Sequence, residues 1–401
     1  MVASSIPLSE RLSALRPTSI NAIQAEIRDC EARGKTILRL VRGEPDFRTP
    51  AHIVEACTRS LAAGRTGYPD NRGEANFRDA IALKLQRDNG LKYDPATEIM
   101  GTTGATFGIY AALTALLREG DEVMLPDPVY DAYNSPVLLC GGKIRRVPAD
   151  VQNGRFTITE AALDAAWNPA VRVLMINTPW NPVGTVLTRA EVEGIGRFCI
   201  RRDVVLLTDE IYETILFDGA KHISPLAAVP ELRERCVLIN GLSKSYAMTG
   251  WRVGYCAGPA PLIQAMLMVL AQSSRGAATF IQDAAAAALS GPQDCVEEMR
   301  SAYAQRREQV IASLQGIPRV RPLKPEGGFF AMVDARELGI PSIDLRRRLM
   351  NEHGIAVVHG SVYGQGAEGM LRVSFGSGGD VLKRGLAALR EGLIRIGESV
   401  Q

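Results

Sequence analysis

Seven short runs of β-forming residues recur between positions 98 and 258, most of them separated by stretches with helical spacing. They are EIMGTTG (98–104), DEVMLP (121–126), KIRRVPA (143–149), VRVLMINTP (171–179), VVLLTDEIY (204–212), CVLINGLS (236–243) and WRVGYCAG (251–258). Several are almost unbroken apolar stretches, as strands must be when helices cover both faces of a sheet. Alternating units of this kind fold into an α/β domain with a mainly parallel sheet. Polar and glycine-rich residues gather at the C-terminal ends of the runs, where open α/β sheets bind ligands. After Pro259 the pattern turns helical, and the last third mixes GGFFAMVD (327–334), IAVVHG (355–360) and MLRVSFG (370–376) with helices. The pattern predicts a large domain over 50–295, a smaller α+β domain over 296–401, and an N-terminal arm over 1–49 that joins the small domain.

Composition narrows the partners. Against 46 Lys and Arg stand 44 Asp and Glu, a formal charge of +2, too small to point to nucleic acid or an anionic membrane surface. Seven cysteines without a CxxC or Cys/His cluster read as reduced thiols, so neither a disulfide frame nor a metal site is expected. The stretch MVASSIPLSERLSALRP lacks the basic and apolar regions of a secretory signal, and no apolar run has the length of a membrane span. A soluble cytoplasmic protein is the expectation.

Four clusters at the strand ends carry chemistry. GTTGATFG passes through Gly101, Gly104, Ala105 and Thr106 into a helix, whose N-terminus and small residues suit an anion. By itself it reads as an ordinary strand–turn–helix junction. NTPWNPVG offers Asn177 and Asn181 in a proline-stiffened loop, which is otherwise a rigid turn. TDEIY places Asp209 at the end of an apolar strand, with Tyr212 three residues on. That carboxylate requires a capped amide, an arginine or a cationic ligand nitrogen. Lys244, in NGLSKSYAMTGWRVGY, follows a buried strand, where an ammonium costs several kcal/mol unless paired or neutralised. A desolvated lysine has a depressed pKa and forms Schiff bases; the plainer alternative is an ion pair.

Together, an anion cradle, a carboxylate, an Asn–Tyr pair and a desolvated lysine match the phosphate, pyridine nitrogen, phenolic oxygen and aldehyde of pyridoxal 5′-phosphate. The order and spacing of NPVG, TDEIY and SKSYAMTGWRVGY, with LVRGEPDFRTP (40–50) and LRVSFG (371–376), resemble the class I/II aminotransferases of fold type I, in their aspartate-aminotransferase-like branch. The resemblance spans essentially the whole chain. It implies a large domain built on a mostly parallel seven-stranded sheet plus a smaller α+β domain. It also implies ping-pong transamination between an L-amino acid, acidic or aromatic, and a 2-oxo acid, through aldimine and pyridoxamine forms.

Residue by residue, the resemblance makes Lys244 the Schiff-base lysine and the general base, and Asp209 the partner of the pyridine nitrogen. Asn181 and Tyr212 face the phenolic oxygen, and Tyr130 stacks on the ring. Gly104, Ala105, Thr106, Ser243 and Arg252 surround the phosphate. Tyr68 reaches the phosphate of the neighbouring subunit, which requires a homodimer with shared sites. Arg372 grips the substrate α-carboxylate near Gly43 and Asn181. No metal is implied.

The chain departs from the family at Gly241, where a phosphate-binding serine is common, and at Arg42, Arg275 and His359. Arg275 or Arg42 either recognises a distal carboxylate or is a solvated arginine at an interface. His359 reads as a turn residue, and His52, His222 and His353 as surface residues. Trp180 and GGFF are expected to shape the side-chain pocket. A lyase, cyclase or racemase would use the same cofactor residues and is the alternative. A sensory domain of a DNA-binding regulator is disfavoured by the near-neutral charge and by the roughly 40 residues before GEPDF.

Overall fold

The computed structural model describes residues 9, 12, 13, 15 and 17–400. Much of the N-terminal stretch read for a secretory signal thus lies outside the described residues. The seven runs form one sheet of β1 (Ile99–Thr102), β2 (Glu122–Asp127), β3 (Lys143–Pro148), β4 (Val171–Asn177), β5 (Val205–Asp209), β6 (Cys236–Gly241) and β7 (Gly254–Ala257). Their spatial order is β1-β7-β6-β5-β4-β2-β3. Only β7 runs antiparallel to its neighbours.

Alternation along β4 shows why the sheet is covered twice. Val173 and Met175 pack with Ile109, Ile263 and Met266 of helices Ala105–Leu116 and Ala260–Ala271. Leu174 and Ile176 join Phe77, Ile195 and Phe198 of helices Ala75–Asn89 and Arg189–Arg202 on the other face. Each fully buried side chain of this size contributes about 1.5–3 kcal/mol.

Strand ends differ from the sequence expectation for local reasons. The run 204–212 stops pairing at Asp209, whose Oδ1 accepts the Ile211 amide at 3.1 Å and turns the chain. The run 251–258 pairs only from Gly254, because Arg252 stands at φ +55° after a 3₁₀ turn. IAVVHG splits into Ile355–Ala356 and Val358–His359, which belong to different sheets. A hairpin, Asp150–Gln152 with Arg155–Thr157, was not anticipated. Its signal is Asn153-Gly154, both at positive φ as a two-residue hairpin turn demands.

The C-terminal third contains an antiparallel sheet of β8 (Arg321–Pro322), β9 (Phe330–Asp334), β10 (Val358–His359) and β11 (Met370–Ser374), ordered β8-β9-β11-β10. Helices Asp294–Leu314, Ser342–His353 and Gly379–Glu398 share a hydrophobic cluster with it. Leu38–Arg39 pairs in parallel with Ile355–Ala356 and so brings residues 40–44 to this part of the molecule. Among the described residues, no helix is long and apolar enough to cross a membrane.

Candidate active site

Register delivers the first polar groups. Asn177, the last residue of β4, sits opposite Asp209, the last of β5. Asn177 donates to the Asp209 carbonyl at 2.8 Å, and its own side-chain oxygen accepts the Asn181 amide at 2.8 Å. The loop after β4 is thereby tied to the end of β5. Gly184 closes that loop at φ +75°, where a Cβ would lie 2.3 Å from Pro325. Thr188 and Glu191 then cap the next helix reciprocally.

These strand ends, the start of the helix Ala105–Leu116, residues 42–44 and β11 enclose a pocket of about 730 Å³. Asp209, Tyr212, Lys244, Asn181 and Tyr130 line it. So do Ala105, Thr106, Ser243, Arg252, Arg372 and Gly43. Gly104 is the N-cap of that helix.

Asp209 is buried, and loss of hydration pushes its carboxyl pKa up to about 6. Two hydrogen bonds oppose the shift, from the Tyr133 hydroxyl to Oδ2 at 2.6 Å and from the Ile211 amide. Tyr133 was not anticipated as a site residue. It is the second tyrosine of DPVYDAY, three residues beyond Tyr130, whose ring it meets edge-on at 5.4 Å.

Lys244 follows β6 in a turn and donates from Nζ to the Gly43 carbonyl at 2.6 Å. Burial lowers its pKa to about 8, while Glu44 and then Asp209 act in the opposite direction. About a tenth of the amine is therefore neutral and nucleophilic at pH 7, far more than for an ordinary lysine. Glu44, held by Thr249 at 3.3 Å and by Arg42, is a second group that the sequence reading passed over.

Arg372 pairs in register with Met332 of β9 and Val358 of β10, and it is 1% exposed. It donates to Asn181 Oδ1 at 3.1 Å and to the Val41 carbonyl at 3.3 Å, and the Phe330 ring lies 4.1 Å from its guanidinium carbon. Its Nε has no partner among the described residues. Neither hydrogen bond goes to a carboxylate, so the buried cation has no ion-pair partner among the described residues. Also lining the pocket, Arg252 lies against Gly104, where a Cβ would come within 2.6 Å of the guanidinium. The absence of that Cβ admits the cation beside the helix N-terminus, as an anion cradle requires.

Some expected residues lie elsewhere. Tyr68 is 88% exposed and Arg275 lies 5.4 Å over its ring, and neither lines the pocket of its own chain. Arg42 reaches the pocket mouth already paired with Glu44. Trp180 does not line the pocket: it is buried against Phe156 and donates to the Pro128 carbonyl at 3.0 Å. Phe330 does line it. His359 bonds Ser361 within its turn at 2.7 Å, whereas His52 and His353 are half-buried away from the pocket. His222 is not a surface residue. Its side chain is 6% exposed and bonded to Glu210, because the DEIYE turn sends Glu210 and Glu213 inward.

A family profile described as aminotransferase class I and II matches residues 35–389. The aspartate aminotransferase of Geobacillus stearothermophilus is 38% identical over 94% of this chain and 96% of its own length. The arginine–pyruvate transaminase of Pseudomonas aeruginosa is 40% identical over 88% of each. Among solved structures, the aspartate aminotransferase from Rhizobium meliloti superposes with a TM-score of 0.94 at 32% identity, covering 98% of this chain and 100% of that one. With the profile spanning most of the sequence and the fold shared end to end, the chain belongs to the class I and II aminotransferases and is a pyridoxal-phosphate-dependent enzyme of fold type I.

Proposed function

We propose that this pocket binds pyridoxal 5′-phosphate through the named residues and transaminates an acidic or aromatic L-amino acid against a 2-oxo acid. The observation that carries the reading is one pocket holding the Lys244 amine, the Asp209 carboxylate and the Arg372 guanidinium, the last without a carboxylate partner. The residues fit the cofactor. Gly104 leaves room for Arg252 at a helix N-terminus, and Ser243, buried beside Lys244, offers the hydroxyl that Gly241 lacks. Asn181 Oδ1 already accepts from Arg372, which leaves its amide hydrogens for a phenolic oxygen.

When bound, the cofactor supplies an electron-withdrawing ring and the carbon that receives the amino group. Asp209 binds the ring nitrogen by charge, and its ionised form is favoured by the Tyr133 and Ile211 donors. Arg372 orients the donor's α-carboxylate, fixing Cα toward Lys244. Lys244 Nζ, with its lowered pKa, removes the Cα proton and later delivers it. Tyr130 and Phe330 wall the pocket and exclude water.

Three further assignments belong to this reading. Residues 50–295 form the large domain, and 1–49 with 296–401 the small one, supported by the pairing of Leu38–Arg39 with Ile355–Ala356 and by the hydrophobic cluster that helices Asp294–Leu314, Ser342–His353 and Gly379–Glu398 share with β9 and β11. Tyr68 and Arg275 serve the pocket of a second copy in a homodimer, supported by their shared exposed position away from their own pocket. Seven cysteines without a CxxC or Cys/His cluster support residence in a reducing cytoplasm.

The test is an absorbance titration of the holoenzyme with single acidic, aromatic, aliphatic and basic amino acids. Conversion to the pyridoxamine form by acidic or aromatic donors supports the proposal. Preference for arginine, the donor named for the Pseudomonas relative, or release of product without that conversion, overturns it.

A further inference from the structure

Behind the turn that carries Asp209 and Tyr212 lie four ionisable side chains that do not line the pocket: Lys84, Glu210, Glu213 and His222. Glu210 accepts from Ser224 at 2.8 Å and Thr208 at 3.1 Å, and its Oε2 lies 2.7 Å from His222 Nε2. Glu213 accepts from Asn240 at 2.6 Å, from Asn89 at 2.8 Å and from Lys84. Lys84 also donates to Asn89 at 2.8 Å. Ligand atoms of Glu210, Glu213 and His222 lie within 4.8 Å of one another, but the Lys84 ammonium already supplies the cluster's cation.

The charge count is the argument. Two carboxylates face one fixed cation in a space closed to water, and a net buried charge is strongly disfavoured. Tyr93, Cys236, Tyr246 and Tyr255 nearby are held neutral by burial, and Arg87, which also feels the Glu213 charge, is already paired with Asp88. Among the described residues that bond the two carboxylates, His222 is the one left to supply the second positive charge. Burial drives its pKa down, yet Glu210 and Glu213 together raise it above the ordinary value. Its Nδ1 has no partner among the described residues, a cost borne in either protonation state.

We infer that His222 is a protonated positioning residue, the fourth member of a neutral buried quartet that fixes the DEIYE turn and shields Asp209 from the Glu210 charge. Without its proton, an uncompensated carboxylate would lie one residue from Asp209. Asp209 would then be harder to ionise and would bind the cofactor's ring nitrogen less well. The inference rests on the assignment of Asp209 to that nitrogen.

The first experiment is NMR of the holoenzyme carrying ring-labelled histidine. The chain has four histidines, and His222→Gln identifies the relevant signal. A cationic ring at pH 7.5 is expected, and a neutral ring overturns the inference. The second is the pH dependence of pyridoxal phosphate affinity in the apo protein. His222→Gln should move the acid limb up by about half a unit to one unit, weakening binding by about 3–10-fold on that limb. The double variant Glu210→Gln/His222→Gln removes one charge of each sign and should restore the limb, which repair of packing alone would not do. An unmoved limb in His222→Gln, or no restoration in the double variant, overturns the positioning role. Should His222→Gln fail to fold, His222→Asn takes its place in the same comparison with its own double variant, Glu210→Gln/His222→Asn. Asp209→Asn is the control, because a limb that survives it refutes the Asp209 assignment rather than the quartet.

Discussion

The Tyr133 hydroxyl donates to Asp209 Oδ2 over 2.6 Å, joining the 3₁₀ turn after β2 to the end of β5 beneath the pocket. Burial alone pushes Asp209 toward the neutral acid, and this charge-assisted bond pulls it back. Tyr133→Phe removes the donor and keeps the ring. The expected result is an Asp209 pKa above its present value of about 6. Pyridoxal phosphate affinity of the apo protein, measured between pH 5 and 8, should show its acid limb displaced upward by about one unit. A limb in the wild-type position would mean that the bond does not set the charge of Asp209.

Lys244→Ala tests the amine. Loss of a general base costs about 10²–10⁴-fold in turnover, and loss of the cofactor linkage adds to that. Stability should move the other way with a defined sign. The pKa of Lys244 is about 8 folded against 10.5 free, so its charge burdens the folded state below pH 8. That burden lifts as pH rises from about 8 to 10.5, because the unfolded chain then binds more protons. Urea unfolding of the apo forms should therefore favour Lys244→Ala more at pH 7 than at pH 10. A pH-independent difference would place Lys244 outside the desolvated pocket.

Much of this arrangement was legible in the chain because strand period and strand-end chemistry are local. Asp209, Asn181 and Lys244 each follow an apolar run, and parallel register alone brings such ends to one edge. Tyr133 was not legible, since its partner lies 76 residues away and nothing in DPVYDAY says which tyrosine turns inward. His222 was misread for a related reason. A histidine in GAKHIS carries no sign that Glu210 and Glu213 await it behind the sheet. Trp180 misled because its loop borders the pocket while its indole turns to Phe156.

Arg372 is a buried cation whose own hydrogen bonds reach only neutral oxygens. Arg372→Lys keeps the charge but loses the fork that a carboxylate matches. The substrate carboxylate keeps a charged partner but loses one charge-assisted hydrogen bond, costing about 1.5–3 kcal/mol, or ~10- to ~150-fold in kcat/KM. The loss should be carried mainly by KM for amino acids and should be far smaller for an amine donor without a carboxylate. An equal loss on both donor types would assign Arg372 to the fold rather than to substrate recognition. Melting temperature of the apo variant should stay close to wild type, since no anion is stranded by the change.

Tyr68 and Arg275 lie together on an exposed surface, cation over ring at 5.4 Å, while the pocket of the same chain is lined without them. A shared-site dimer gives that position a purpose, and mixing two inactive chains tests it. Let one carry Lys244→Ala and the other Tyr68→Ala, then refold them together. If Tyr68 crosses to its partner, each mixed dimer has one pocket with both defects and one with neither. Activity should then rise well above that of either parent, approaching one wild-type pocket per mixed dimer. If Tyr68 serves its own chain, every pocket keeps one defect and mixing restores nothing. Adding Arg275→Ala to the Lys244→Ala chain leaves the restored pocket with its own Lys244 but a partner lacking Arg275. A rise in KM confined to acidic donors in that mixture would assign Arg275 to their distal carboxylate across the interface. An unchanged KM would leave it a surface cation stacked on Tyr68.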